Sequence, residues 1–216
     1  MPGEFEIIAK YFAPLTAGAP GAEGLTNDAA VFTPRAGLGV VVTVDAMVAG
    51  VHFLPEDPPE TLGRKLLRVN VSDLAAMGAR PLGYLLVTAL PKDVQEPWIA
   101  AFAEGLAEDQ AAFGIALMGG DTVSTSGPTT LSLTAFGEVA PGRALTRSGA
   151  REGDDIYVSG ALGEGALGLK VLRGALADLS EADRAALAGR YRLPETTRRA
   201  HRLASGPGGA RPRSAS

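Results

Sequence analysis

No cysteine occurs in the 216 residues of this chain. That excludes disulfides, thiolate metal sites and a cysteine nucleophile, and it fits a reducing compartment. Histidine is nearly as scarce, with only His52 and His201. No Gly-x-x-x-x-Gly-Lys-Ser/Thr phosphate loop is found, nor a protein-kinase lysine and catalytic-loop set, nor a Gly-x-Ser-x-Gly nucleophile elbow. No apolar run reaches the roughly 18 residues needed to span a bilayer. The opening residues, Met1-Pro2-Gly3-Glu4-Phe5-Glu6, lack the basic and apolar segments of a signal peptide. The expectation is a cytoplasmic protein without a membrane partner. A net charge of −4 leaves no overall nucleic-acid footprint. With 46% hydrophobic and 20% charged residues, the composition is that of an ordinary soluble globular protein.

What is present is a set of acids in unexpected company. Asp28, Asp45, Asp73 and Asp121 each sit in a run of small or apolar residues: Thr26-Asn27-Asp28-Ala29-Ala30, Val42-Thr43-Val44-Asp45, Asn70-Val71-Ser72-Asp73-Leu74-Ala75-Ala76-Met77-Gly78 and Met118-Gly119-Gly120-Asp121-Thr122. A dehydrated carboxylate is costly unless a cation or hydrogen-bond donors meet it. Hard oxygen ligands select Mg²⁺ or Ca²⁺, and Mg²⁺ commonly shares its shell with substrate phosphates. The pattern points to a Mg²⁺-nucleotide enzyme.

Periodicity supplies the frame. Residues 5–12 predict a short helix and the Gly/Ala/Pro-rich 13–26 a loop. The β-branched run Val40-Val41-Val42-Thr43-Val44 predicts a buried strand with Asp45 at its carboxyl end, where ligands sit in open α/β sheets. Residues 61–77 predict a helix on which Leu62, Leu66, Val69 and Asp73 share one stripe, placing Asp73 off the wet face. Gly78 and Pro81 end it. A strand at 84–90 follows, then a helix marked by the i+4 spacing of Trp98, Phe102 and Leu106, then a short strand at 115–118 leading into Gly119-Gly120-Asp121. Alternation over 131–139 predicts another strand, and Pro141-Gly142 a domain boundary. Beyond it, 155–159 predicts a strand, 164–176 a helix, and Ser180 with Asp183 the capped start of another. Residues 197–216 hold five arginines and no acid, and predict a disordered Arg/Gly/Pro tail, either loose or touching an anionic partner.

Each candidate has a plainer role beside the functional one. Asp28 after Asn27 and Asp121 after Gly-Gly suit turns. Asp73 suits a core acid met by backbone donors, and Asp45 an N-cap. His52 beside Phe53 suits packing as well as a substrate contact, and Arg147 suits a solvated loop as well as a phosphate grip. Gly160-Ala161-Leu162-Gly163-Glu164-Gly165 has the wrong spacing for a dinucleotide fingerprint and suits a helix cap.

Several strings together resemble one family: Gly3-Glu4-Phe5-Glu6, Asn27-Asp28-Ala29-Ala30, Val42-Thr43-Val44-Asp45, Val51-His52-Phe53, Asn70 through Pro81, Gly119-Gly120-Asp121-Thr122 and Gly142 through Ala150. In order, over about residues 3–195, they are similar to the bacterial thiamine-monophosphate kinases. The Ser72–Gly78 string is shared more broadly with the aminoimidazole ribonucleotide synthetase superfamily. The Arg143–Ala150 string and the surroundings of His52 favour the thiamine kinases within it.

The resemblance implies transfer of phosphate from ATP to thiamine phosphate, giving thiamine diphosphate and ADP. It implies an α/β (α+β) fold: an N-terminal mixed sheet flanked by helices that pairs across a homodimer, followed by an α/β C-terminal domain. Matched position by position, Asp28, Thr43, Asp45, Asp73 and Asp121 would hold Mg²⁺, Gly120, Asp121 and Arg147 would contact ATP, and His52 would sit at the substrate. No residue is implied to act as a general base. Val44 stands where relatives often carry Ser or Thr and offers only its backbone carbonyl. The family's later Ser-Asp-Gly motif is not reached, so the expected division is 1–140 as ATP/Mg²⁺-binding and dimerisation domain, 141–196 as the start of an incomplete C-terminal domain, and 197–216 as tail. The alternatives are a catalytically silent dimerisation module, or another ATP-dependent enzyme of the superfamily such as a selenophosphate synthetase.

Overall fold

The computed structural model describes residues 3–158 and 160–195. A helical N-terminal stretch opens with α1 (Glu4–Ile7), continues as a π-helical turn over Ile8–Phe12, and ends in 3-10 turns at Ala13–Thr16 and Pro20–Leu25. Residues 13–26, expected to be a loop, are therefore largely wound into turns. There follow β1 (Gly39–Val48), α2 (Pro59–Ala76), β2 (Arg80–Pro91), α3 (Glu96–Phe113), β3 (Ala116–Thr125), β4 (Thr130–Val139), α4 (Glu164–Leu172) and α5 (Glu181–Arg192).

The four strands form one mixed sheet in the order β1-β4-β2-β3. β4 runs antiparallel to both β1 and β2, while β2 and β3 are parallel. The parallel pair needs a crossover, and α3 supplies it. Leu62, Leu66, Leu67 and Leu74 of α2 and Ile99, Phe102 and Leu106 of α3 pack against Tyr84, Leu86, Leu131, Leu133 and Ala135 of the sheet. Each fully buried side chain of this size contributes about 1.5–3 kcal/mol. The helices approach closely at Gly105, where a Cβ would lie 2.0 Å from the Glu60 carbonyl oxygen. Asp109 is buried and ties α3 to α2 by accepting from Arg68 Nε at 2.6 Å and from Arg64 Nε at 3.3 Å. Tyr84 donates its hydroxyl to Gln110 Oε1 at 2.6 Å, which satisfies the polar tip of the largest buried ring.

Helices cover only one face of the sheet. On β1 this overturns the expectation of a buried strand: Val42 and Val44 are 56% and 61% exposed, because α2 shields only the alternate residues. Asp45 is also not terminal, since β1 runs on to Val48. Asp73 lies over β1 as the helical period requires, but it is exposed, because α2 overhangs an edge strand with nothing beyond it.

The region after β4 is thinner. Arg143 N donates to the Ala140 carbonyl at 3.0 Å in the turn at Pro141-Gly142. The strand expected at 155–159 is absent over 155–158, where Ile156 is 93% exposed with no partner strand among the described residues, and Ser159 lies outside them. α4 and α5 do form. Gly163 caps α4 at φ 92, and Ser180 Oγ accepts from the Asp183 amide at 3.1 Å, as the capping pattern requires. The tail at 197–216, His201 included, lies outside the described residues. Among the described residues no helix is long and apolar enough to cross a membrane.

Candidate functional site

The acids fall into two groups. The first is built by β1, α2 and the turn that follows β1. Thr43 and Asp45 alternate onto the side of β1 facing α2, and Thr43 Oγ1 donates to Asp73 Oδ2 at 2.8 Å. Burial raises the pKa of Asp45, the Asp73 charge raises it further, and His52 opposes both. Asp45, Asp73 and His52 therefore share one electrostatic environment. Among the described residues neither aspartate enters an ion pair. His52 is held by its own turn: its amide donates to the Val48 carbonyl at 2.9 Å, and its Nδ1 accepts the Val48 amide at 3.1 Å. In the neutral ring that acceptor role leaves the proton on Nε2.

The second group lies at the other edge of the sheet. Asn27, Asp28 and Ala29 face Leu117, Met118, Gly119, Gly120 and Asp121 across a cavity of about 210 Å³. Gly119-Gly120-Asp121 is not a turn but continuous strand, since β3 runs through to Thr125. Gly120 has a packing reason of its own: a Cβ there would lie 1.8 Å from the Leu86 carbonyl oxygen. The carboxylate of Asp121 directly follows this position, where the Leu86 carbonyl leaves no room for a side chain.

Strand order separates the two groups. Asp45 pairs with Leu133, Leu133 with Leu86 and Leu86 with Gly120, so all four share a row. Three strand spacings then divide the edges, about 14 Å. Among the described residues no three of His, Asp and Glu are close enough to hold a cation together. The four aspartates form two separate pairs, Asp45/Asp73 and Asp28/Asp121. Arg147 occupies an exposed 3-10 turn, Arg147–Gly149, and the Leu145 amide ties that loop to Met77 at the end of α2 at 3.1 Å. This sets Arg147 past the Asp73 end of α2.

The oxygen-rich, cation-free character of Asp45, Asp73 and Thr43 suits Mg²⁺, which takes one or two carboxylates and leaves room for phosphate and water. The raised Asp45 carboxyl owes most to burial and next to the neighbouring Asp73 charge.

Three features escaped sequence reasoning. Asp57 is buried and accepts from Arg192 Nε at 2.8 Å. Glu138 is buried and accepts from Arg35 and Arg80. Lys65 donates to the His52 carbonyl at 3.1 Å. The only signal in the chain was Asp57 ahead of Pro58-Pro59, a helix-start pattern.

Comparison with known proteins agrees with this architecture. Thiamine-monophosphate kinase of Caulobacter vibrioides is 49% identical over 194 residues, which are 90% of this chain and 54% of that protein. The Escherichia coli K12 enzyme is 43% identical over 84% of this chain and 56% of its own length. The chain spans about half the length of the curated relatives it matches. Thiamine-monophosphate kinase from Stenotrophomonas maltophilia K279a superposes with a TM-score of 0.75 at 44% identity, over 84% of this chain and 58% of that one. A structure described as AaThiL complexed with AMPPCP and TMP gives 0.69 at 29% identity, over 90% and 60%. With the model of the AIR synthase related protein N-terminal domain matching residues 26–139, the chain belongs to the AIR synthase related family.

Proposed function

We propose that this chain carries the Mg²⁺-dependent transfer of the γ-phosphate of ATP to thiamine phosphate. The observation that carries the proposal is the Asp45/Asp73/Thr43 group beside His52, acidic and, among the described residues, free of any ion pair. Relatives named as thiamine-monophosphate kinases, one described with AMPPCP and TMP, support the choice of donor and acceptor.

The acceptor is itself a phosphate with a second pKa of about 6, so it is largely dianionic at neutral pH. No side chain has to remove a proton. An acceptor oxygen forms the new bond to the γ-phosphorus, the bond to the ADP oxygen breaks, and ADP leaves with its electron pair. The difficulty is charge: two unit charges 4 Å apart repel by about 4 kcal/mol at an effective dielectric of about 20. Bound Mg²⁺ supplies neutralisation of that charge and alignment for in-line transfer. Asp45, Asp73 and Thr43 would hold it on one edge, and Asp28 and Asp121 on the other. Gly120 lets the nucleotide approach the β3 backbone, Arg147 grips phosphate, and His52 donates from Nε2 to the acceptor.

The same reading includes a homodimer. The uncovered sheet face presents the exposed side chains of Val40, Val42, Val44, Leu85, Val87 and Val123, apolar surface of the kind that marks an interface. It also includes the division into 1–140, 141–196 and 197–216, supported by a core cluster whose members all precede the turn at Pro141-Gly142. The proposed setting is the cytoplasm, where ATP and thiamine phosphate are both soluble.

The test is ADP release with ATP, Mg²⁺ and thiamine phosphate, against a control without thiamine phosphate. Acceptor-dependent release that falls at least a hundredfold in Asp45→Asn and Asp73→Asn, with both variants folded, supports the reading. Release that ignores the acceptor, or survives both substitutions, overturns it.

A further inference from the structure

The loop carrying His52 is gripped by a helix from the far end of the chain. Asp57, 135 residues before Arg192, has a side chain only 1% exposed. Its Oδ2 accepts the Leu54 amide at 2.9 Å, closing the loop's turn, and its Oδ1 accepts Arg192 Nε at 2.8 Å. Lys65 completes a second link. Its ammonium donates to the His52 carbonyl at 3.1 Å and lies 3.9 Å from the centre of the Tyr191 ring. Burial lowers the Lys65 pKa and Asp57 opposes the change, while burial followed by the Asp57 charge raises the Tyr191 phenol. Arg68 fixes the chain just beyond α5 by donating to the Pro194 carbonyl at 3.2 Å.

A buried carboxylate bonded to both a loop amide and a distant guanidinium transmits position, because neither bond is cheaply given up. Lys65 does the same through a cation–π contact on one side and a carbonyl on the other. The Lys65 link ends on His52 itself, and the Asp57 link on Leu54, two residues further along the same loop.

We propose that Asp57 and Lys65, held by Tyr191 and Arg192 of α5, are positioning residues that fix His52 for the acceptor phosphate. The inference rests on the proposed role of His52, and its test separates the two. In a His201→Gln background, nitrogen NMR of the single remaining histidine reads the ring tautomer without any turnover. The intact chain gives one Nε2-protonated form. Tyr191→Leu and Arg192→Gln move the signal toward the tautomer mixture of a free imidazole and speed exchange of the Val48 amide about tenfold, with Leu133 protection unchanged. Tyr191→Phe keeps the ring face against Lys65 but loses the hydroxyl that meets the Leu54 backbone, and loosens the loop less than Tyr191→Leu. Lys65→Met removes only the ammonium and gives the same loosening if the larger changes unfold α5. In the kinase assay these variants raise KM for thiamine phosphate about tenfold and leave KM for ATP alone. An unchanged His52 signal and Val48 exchange in Lys65→Met and Arg192→Gln overturn the proposal. A moved signal in a chain with no kinase activity keeps the positioning link and discards the functional reading.

Discussion

Replacing Glu138 by Gln keeps the side-chain shape and removes one charge from a buried site. The Glu138 side chain is 1% exposed. Its Oε1 accepts the Arg35 amide at 2.9 Å, and its Oε2 accepts Arg35 Nε at 2.7 Å and Arg80 Nη2 at 3.0 Å. The Arg35 amide is the chief cause that holds the carboxyl down to about 2 from 4.5, the two guanidiniums assist, and burial opposes. A depression of this size corresponds to about 3 kcal/mol. The Arg35 and Arg80 side chains are 62% and 46% exposed, so water screens them and about 1–2 kcal/mol is the expected loss. A depressed carboxyl stabilises the fold fully above its unfolded value and loses that contribution as pH falls toward about 2. Glu138→Gln therefore lowers the urea midpoint at pH 7 with an unchanged slope, and flattens the decline in stability between about pH 4.5 and pH 2. The same midpoint at pH 7, or the same acid decline, refutes the reasoning. The loss also reaches the candidate site. Arg35, with Phe32 packed 5.7 Å from Phe136, pins to β4 the segment that follows Asp28.

Three further outcomes follow from the geometry. Asp73→Asn removes the charge that, after burial, raises the Asp45 carboxyl; because a raised carboxyl costs stability as pH climbs past its ordinary value, this variant loses less stability than the parent between about pH 4 and pH 7 in metal-free buffer, read by denaturant titration, and shows no thermal shift on adding Mg²⁺ where the parent is expected to show one. Val42→Lys puts a charge on the edge strand of the uncovered sheet face and shifts the chain to monomer in light scattering, whereas an unchanged mass rules that face out as the contact. In hydrogen exchange α4 and α5 exchange faster than the sheet and α2, because α5 has no buried residue of its own and α4 only Gly168 and Val171, and uniform protection contradicts this.

Where local chemistry decides structure, the sequence was readable. The alternation in β4 emerged as alternating burial, Trp98, Phe102 and Leu106 as one helix face, and Ser180 as a cap bonded to Asp183. Where a second layer decides, it was not. Val40 to Val44 reads as buried because a β-branched run cannot report whether anything covers its far side. Ile156 and Tyr157 read as strand, yet among the described residues no strand lies beside them to pair. Asp73 has the helical phase of Leu62 and Leu66, but phase does not reveal that the sheet ends beneath it. The candidate acids could be named from their apolar surroundings. Their division into two pairs follows from strand order, which sets β1 and β3 on opposite edges and leaves no local trace. Glu138 and Asp57 were invisible for a related reason: the arginines that make them buried acids, Arg35 and Arg192, lie 103 and 135 residues away.

The central claim is that phosphate passes from ATP to thiamine phosphate on this chain. Incubation of the purified chain with γ-labelled ATP, Mg²⁺ and thiamine phosphate, followed by separation of the products, tests it directly. The account predicts label in thiamine diphosphate, absent without Mg²⁺ and lost in Asp45→Asn. Label released only as inorganic phosphate, or left on ATP by a folded chain, contradicts it.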